Sequence, residues 1–476
     1  MILNPICFAI KHNELLGRID PTFYRPMDGL PGTDGFPKKY KIMKLKNVTD
    51  KIIQPFEFIR EYNESTNSDS VPFLRAGNIL DGQLDLSDLV YVDKRIFDTH
   101  KDSKIDKGDI LITRTGAKAG ATCVVPAQFE DYYVSSHTLR VIPNRNIIDP
   151  NYFELFLLSK WGKLQIERLF TGAAQKQLQI KSISDLHIVI PPIKKQIEIV
   201  SHLKNIQKQI EKKLAQAEEL LAGMDEFVLS ALKIQLPKIS KKQYYGIRKS
   251  NLGSRIDSYS NQSHFRDLFS IINSTGNKVQ TLCDISDNIF SGSTPLAGGD
   301  AYVEPPNGIR FIRSGEITSD GEVNPTSEVH IREDIHNEEL GRSKLKRNDI
   351  LIAIVGATIG SVGIYESDNE ANINQAIAAV RISKRNIIPQ YIFWYLKSSI
   401  GQMILDYFKR PVARANINLE EISQIPLIIP DLSIQKEILK NVLNNKKMAN
   451  KLISDANEEW GSAKQWFEDQ LLKGVE

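Results

Sequence analysis

Cysteine is nearly missing from this 476-residue chain. Cys7, Cys123 and Cys283 are too few and too scattered for a disulfide framework or a paired metal site, which points to a reducing compartment. Long apolar runs are missing too. The most apolar stretch, 350–365, is interrupted by Gly356, Gly360 and Gly363 and is too short to span a bilayer. The first twenty residues lack a basic segment followed by an apolar one, so a cytoplasmic location without a signal peptide is expected. Catalytic signatures are equally scarce. There is no GxxxxGK[ST] loop, no GxGxxG after a strand, and no HExxH or GxSxG. The eight histidines show no ligand spacing, so neither a metal nor a catalytic residue is assigned. DPTFY (20–24) loosely echoes the Asp-Pro-Pro-Tyr type of motif of adenine methyltransferases, without a glycine-rich cofactor loop to accompany it.

A large excess of one charge is also lacking. The formal balance is +3, far from that of a strongly basic nucleic-acid binder. Positive charge gathers in 194–249, with 12 Lys/Arg against 6 Asp/Glu. A polyanion contact elsewhere must therefore rely on local patches. With 41% hydrophobic and 25% charged residues the chain is globular, and its length suits two to four domains.

What the chain does contain is itself, twice. PFLRAGNI (72–79) returns as RFIRSGEI (310–317). GDILITRTGAKAG (108–120) returns as NDILIAIVGATIG (348–360), and DLHIVIPPIKKQIEI (185–199) as QIPLIIPDLSIQKEI (424–438). Arg18-Ile19-Asp20 returns as Arg255-Ile256-Asp257. The blocks keep their order, and their offsets stay between 237 and 240. A period of half the chain is a tandem domain duplication, not a solenoid.

Each copy reads as mixed α/β. VPFLRAG, DILITRTG, TLRVIP and LHIVIP are strand-like, as are IRFIRSG, DILIAIVG, IAAVRI and IPLIIP. A helix is expected over 150–170 and again over 389–409. GAKAG (116–120) and GATIG (356–360) lack the Lys-Ser/Thr of a phosphate loop and fit tight β-turns. Each copy then ends in a long helix. In the first, from Lys194 to Leu232, Ile210, Leu214, Ala217, Leu221, Met224, Val228 and Ala231 alternate spacings of four and three, a coiled-coil seam. The second, from Ser433 to about Leu472, has Ile434, Ile438, Val442, Met448, Leu452, Ala456, Ala463 and Phe467, with Asn441 and Asn445 as register-setting polar positions. The stretch 237–255 reads as a polar, basic linker whose lysines either stay solvated or reach phosphates.

Two similar but non-identical heads on a spacer suit a ligand with two separated, different half-sites, and duplex DNA fits that description. IPPIKKQ (190–196, with Pro191, Pro192 and Gln196), IPDLSIQ (429–435), SGSTP (291–295) and the duplicated blocks together resemble the specificity subunit of type I restriction–modification systems. Asp431 replaces Pro192 in the second copy, and the first copy has no counterpart of SGSTP. The first copy has instead a longer, acidic, Ser/Asn-rich stretch at 54–70.

The resemblance implies a non-catalytic subunit with mixed α+β architecture. Two target-recognition domains, 1–192 and 254–431, would be separated by an antiparallel coiled-coil pair, 193–236 and 432–476, with 237–253 as linker. It implies that each domain reads one half of an asymmetric double-stranded DNA site, while the helices set the gap and dock two methyltransferase subunits. S-adenosylmethionine, ATP and Mg would belong to those subunits and to separate restriction subunits, with no cofactor in this chain. By loop position and side-chain type, the DNA-reading candidates in head one are Arg75, Asn78, Arg114, Lys118, Gln175, Lys176 and Gln177. In head two they are Ser293, Thr294, Arg313, Arg410, Arg414 and Asn416. Arg75 and Arg313 occupy equivalent places and also suit a structural ion pair. Three rivals stay open: a DNA methyltransferase or nuclease acting alone, a scaffold whose heads bind proteins, and the same DNA role in another phage-defence assembly.

Overall fold

The apolar runs of head one become strands. The computed structural model describes residues 40–55, 69–98, 100–171, 177–239, 246–247, 257–296, 298–323, 329–409 and 416–472. β1 (Lys41–Lys44) pairs antiparallel with β9 (His187–Ile190). β2 (Thr49–Ile53), β8 (Thr138–Pro143), β5 (Ile110–Thr113) and β6 (Thr122–Val124) form an antiparallel sheet in that order. All four residues of β5 are buried, as its unbroken apolar run requires. A second sheet places β3 (Ser70–Leu74) between β4 (Val90–Asp93) and the parallel strand β7 (Tyr133–Val134).

Head two repeats this plan. β10 (Lys278–Thr281) pairs with β19 (Pro426–Ile429). β11 (Ser286–Ser291), β18 (Ile377–Ile382), β15 (Ile350–Ala353) and β16 (Val362–Ile364) form the four-stranded sheet. The second sheet runs β12 (Tyr302–Val303), β14 (His330–Ile331), β13 (Ile309–Ile312), β17 (Ala371–Ile373), with β13 and β17 parallel. The repeat block at 18–20, DPTFY and most of 54–70 and of the linker lie outside the described residues.

The single helix expected after the sheet is two helices in each head. α1 (Pro150–Leu158) stops at Ser159 and α2 (Lys160–Leu169) starts there. In head two, α5 (Pro389–Lys397) and α6 (Ser399–Phe408) divide at Ser398. Both serines are extended, with ψ of 163°, and each hydroxyl donates to the carbonyl three residues back, at 2.6 Å. The chain then folds so tightly that a Cβ on Gly162 would lie 2.3 Å from the Phe156 carbonyl oxygen, and one on Gly401 2.2 Å from that of Tyr395. A Ser followed three residues later by Gly is thus the break signal. Head two also has α4 (Ser263–Ser274), which buries His264, Phe265, Leu268 and Ile272.

The long helices α3 (Ile193–Ala231) and α7 (Leu432–Leu472) have 39 and 41 residues. The chain divides into two compact units, Met1–Lys213 with Ser454–Glu476 and Leu214–Ile453, so each long helix contributes residues to both. The division falls inside the helices, not at their starts. In the first unit, the His202 ring lies 4.2 Å from that of Trp466 and Lys213 Nζ lies 2.6 Å from Glu459 Oε2, so the helix segments there are antiparallel. In the second unit, Val228 and Leu232 share a core with Ile438 and Val442.

The seam differs from the expected one by a residue in alternate places. Leu214, Leu221 and Met448 are exposed by 43%, 38% and 55%, while Ala217 and Ala449 are buried. The stripe on α3 keeps Ile210, Ala217 and Met224 but takes Lys213 and Leu220 between them. The Glu459 carboxylate accommodates Lys213, which apolarity alone could not have placed there. Asn441 and Asn445 face each other along α7, 3.5 Å apart.

Candidate nucleic-acid interface

Four segments recur in each head, and matching backbone hydrogen bonds join the second, third and fourth of them in both. The first is a short turn after β3 or β13, Ala76–Asn78 or Ser314–Glu316. Its entry N–H, on Arg75 or Arg313, donates to the side chain three residues on: Asn78 Oδ1 at 2.8 Å, Glu316 Oε1 at 3.2 Å. The second is the glycine turn between β5 and β6, or between β15 and β16. Gly120 N donates to Thr113 O and Gly360 N to Ala353 O, both at 2.8 Å. Gly116, Gly120, Gly356 and Gly360 all have φ between 89° and 98°, where glycine is favoured. These motifs close β-hairpins, as expected from their missing Lys-Ser/Thr.

The third segment precedes β8 or β18: Arg114 N donates to His137 O, and Ile354 N to Ala376 O. The fourth reaches the hairpin through one bridge, Thr115 to Gln177 in head one and Val355 to Asn416 in head two. Leu178 N then bonds Arg114 O and Ile417 N bonds Ile354 O. Candidates far apart in sequence are thus neighbours in space.

Their side chains differ in availability. Asn78 is fully buried, and its amide donates to Asp85 O and Asp88 Oδ1, so it holds the turn together. Arg75 Nη2 lies 2.7 Å from Asp88 Oδ2, the structural pair anticipated at that place. Its counterpart Arg313 differs: it is exposed, with its guanidinium 5.5 Å from the Tyr302 ring. The ion pair beside it is formed by Arg310 and Glu316, 3.4 Å apart. Burial pushes the Glu316 carboxyl above its ordinary value, opposed by the Arg313 backbone N–H and by Arg310.

Lys118 is exposed, with Nζ 2.8 Å from the Gly77 carbonyl, which links the first two segments. Arg114 is half-buried, and its Nε makes no hydrogen bond among the described residues. Gln177 is half-buried and Asn416 exposed. Ser293 and Thr294 are exposed, and Thr294 Oγ1 donates to Gln375 Oε1. Gln175, Lys176, Arg410 and Arg414 lie outside the described residues. Two residues missed from sequence join the set. His137 Nδ1 is 2.8 Å from Thr115 Oγ1, and Gln375 meets Thr294. Both stand just before a strand of the main sheet, which was the available signal. Among the described residues no cluster of His, Cys, Asp or Glu is able to hold a metal ion.

A family model described as the type I restriction modification DNA specificity domain matches residues 37–220 and again 277–458. The chain belongs to this family. The double match coincides with the internal duplication, so the chain is a type I restriction–modification specificity subunit with two recognition domains. Among curated proteins of this kind, the EcoBI specificity subunit of Escherichia coli is 27% identical over 275 residues, 56% of this chain and 53% of that one. The alignment thus spans about half the length of that relative. The EcoKI specificity subunit of E. coli K12 is 22% identical over 408 residues, 84% of this chain and 78% of its own. A solved structure, from work on complex assembly and conformational transition of the type I restriction–modification system, aligns with 92% of this chain and 99% of its own. Its TM-score is 0.55 at 14% identity, a likeness of fold. No described helix of this subunit is long and apolar enough to cross a membrane.

Proposed function

We propose that this specificity subunit is the non-catalytic reader of a cytoplasmic restriction–modification complex, and that each head docks in one half of a bipartite duplex site. The observation that carries this reading is the four-segment constellation, built twice on matching backbone bonds and furnished with different side chains. Matching backbones present loops to the same kind of ligand, and differing side chains read different bases. In head one the reading residues are Arg114, Lys118 and Gln177, with His137 added; Arg75 and Asn78 shape the turn that carries them. In head two they are Ser293, Thr294, Arg313 and Asn416. Gln175, Lys176, Arg410 and Arg414 complete the two sets on chain position alone.

The long helices set the gap between the half-sites. At about 1.5 Å per residue each is roughly 60 Å long, enough to bridge more than one turn of B-DNA at about 34 Å. The helices also dock two methyltransferase subunits, which supply S-adenosylmethionine, while restriction subunits supply ATP and Mg chemistry. The test is to produce the chain with its methyltransferase partner and map methylated positions across a genome that lacks other methylation. The reading predicts an asymmetric site of two short defined halves with a fixed undefined gap. Methylation by this chain alone, or at a single uninterrupted site, would contradict it.

A further inference from the structure

The bridge between the second and fourth segments places two side chains next to each other in each head. Partners in an antiparallel bridge point to the same face, with Cβ atoms about 5 Å apart. In head one the pair is Thr115 and Gln177. Thr115 is buried at 8% exposure and turned onto His137, so its methyl is withdrawn from the surface. In head two the place of His137 is taken by Ala376, as the shared backbone bond shows. Val355 therefore has no such partner and stands 39% exposed beside exposed Asn416. The neighbouring positions change in the same sense: Arg114 is replaced by Ile354, and Lys118 by Thr358. Among the described residues, head one brings a guanidinium, an ammonium and an imidazole to this place, whereas the equivalent positions of head two carry the buried Ile354, the Thr358 hydroxyl and Ala376.

A buried apolar side chain at a hairpin turn needs no ligand, but an exposed one paired with a carboxamide has a matching surface in DNA. In the major groove an A·T pair offers adenine N6 and N7 to an Asn side chain, and beside them the thymine C5-methyl to an apolar group. A G·C pair offers no methyl, and its guanine acceptors favour Arg or Lys. We infer that Val355 and Asn416 form the specificity-determining pair of head two and read one A·T base pair, Asn416 on adenine and Val355 on the thymine methyl. This rests on the reading that each head docks one half-site.

The probe is a duplex carrying the bipartite site mapped by methylation, bound by the full chain with its methyltransferase partner. Each thymine is replaced in turn by deoxyuridine, which removes only the methyl group. One thymine, in the half read by head two, should weaken binding about fourfold when replaced, the value of one buried methyl. In Val355→Ala that penalty should vanish, with the thymine and uracil duplexes bound equally. Replacing the paired adenine with 7-deazaadenine should cost about tenfold in the wild type and nothing further in Asn416→Ala. Both substitutions are at exposed positions, so folding is preserved. The inference is overturned if no thymine is sensitive, if the sensitivity persists in Val355→Ala, or if that half-site contains no A·T pair. A chain that yields no bipartite site at all would overturn the half-site reading itself.

Discussion

Head one and head two share their buried devices and differ at their exposed ones. In each, the first Gln of the long helix is fully buried and ties the helix to its own head. Gln196 accepts from Asp149 N at 2.8 Å and donates to Ile147 O and Pro191 O; Gln435 accepts from Ile388 N at 3.0 Å and donates to Asn386 O and Pro430 O. Tyr152 and Tyr391 each donate a hydroxyl to the strand beneath, at Val189 O and Ile428 O. The Asp of GDI or NDI is buried against an arginine in both, but from different places. Arg140 lies one residue before the strand position facing Ile110, and Arg381 lies one residue after the equivalent position facing Ile350. Those places are two apart, so both arginines lie on the same face of the sheet. A buried charge must keep a partner, whereas the position that supplies it can change. At the hairpin turn the heads diverge: Thr115 is buried against His137 in one, and Val355 is exposed in the other.

The comparison can be broken hardest at the buried arginines. Arg140→Met leaves Asp109 buried without its partner and should cost about 3–5 kcal/mol in the first unit's unfolding. Arg381 is more exposed, at 23% against 7%, so Arg381→Met should cost less, and calorimetry of the two variants compares them. If the two helix ties are equivalent, Gln196→Ala and Gln435→Ala should each lose about 2–3 kcal/mol, equal within error. Inequality would show that one head relies on its tie less than the other.

A pH difference should separate the heads more gently. Glu154 is pushed up to about 7 by burial, opposed by the Val124 N–H it accepts at 2.6 Å. Phe393 holds the equivalent helix position in head two. A carboxyl raised on folding favours the folded state below its ordinary value of 4.5, and that contribution is lost as pH rises through about 7. The first unit's melting temperature should therefore fall across that window, and Glu154→Gln should flatten the fall. The smallest effect is electrostatic: Lys118→Ala should lower the salt slope of DNA binding by about one, while Thr358→Ala should leave it unchanged.

Four strands in each head and the doubling were legible in the sequence, because continuous apolar runs such as 110–112 and Ile350–Ala353 have few alternatives, whereas short strands such as Val90–Asp93 and Thr122–Val124 were not read from it. The break at Ser159 and Ser398 was hidden, since one helix and two short ones share an apolar period. The seam shift was hidden because Lys213 joins only through Glu459, 246 residues away. At the interface, loop position found Lys118, Arg313 and Asn416 on the surface. It also picked Asn78, whose amide is occupied within its own turn, because residue type does not encode direction. His137 became visible only once the hairpin brought Thr115 against it.

The most direct measurement exchanges residues 254–431 for the second head of a relative with another target, keeps both long helices, and maps methylated sites with the partner present. The account predicts that one half of the site changes while the other half and the gap stay fixed. A change in both halves, or in neither, would contradict it.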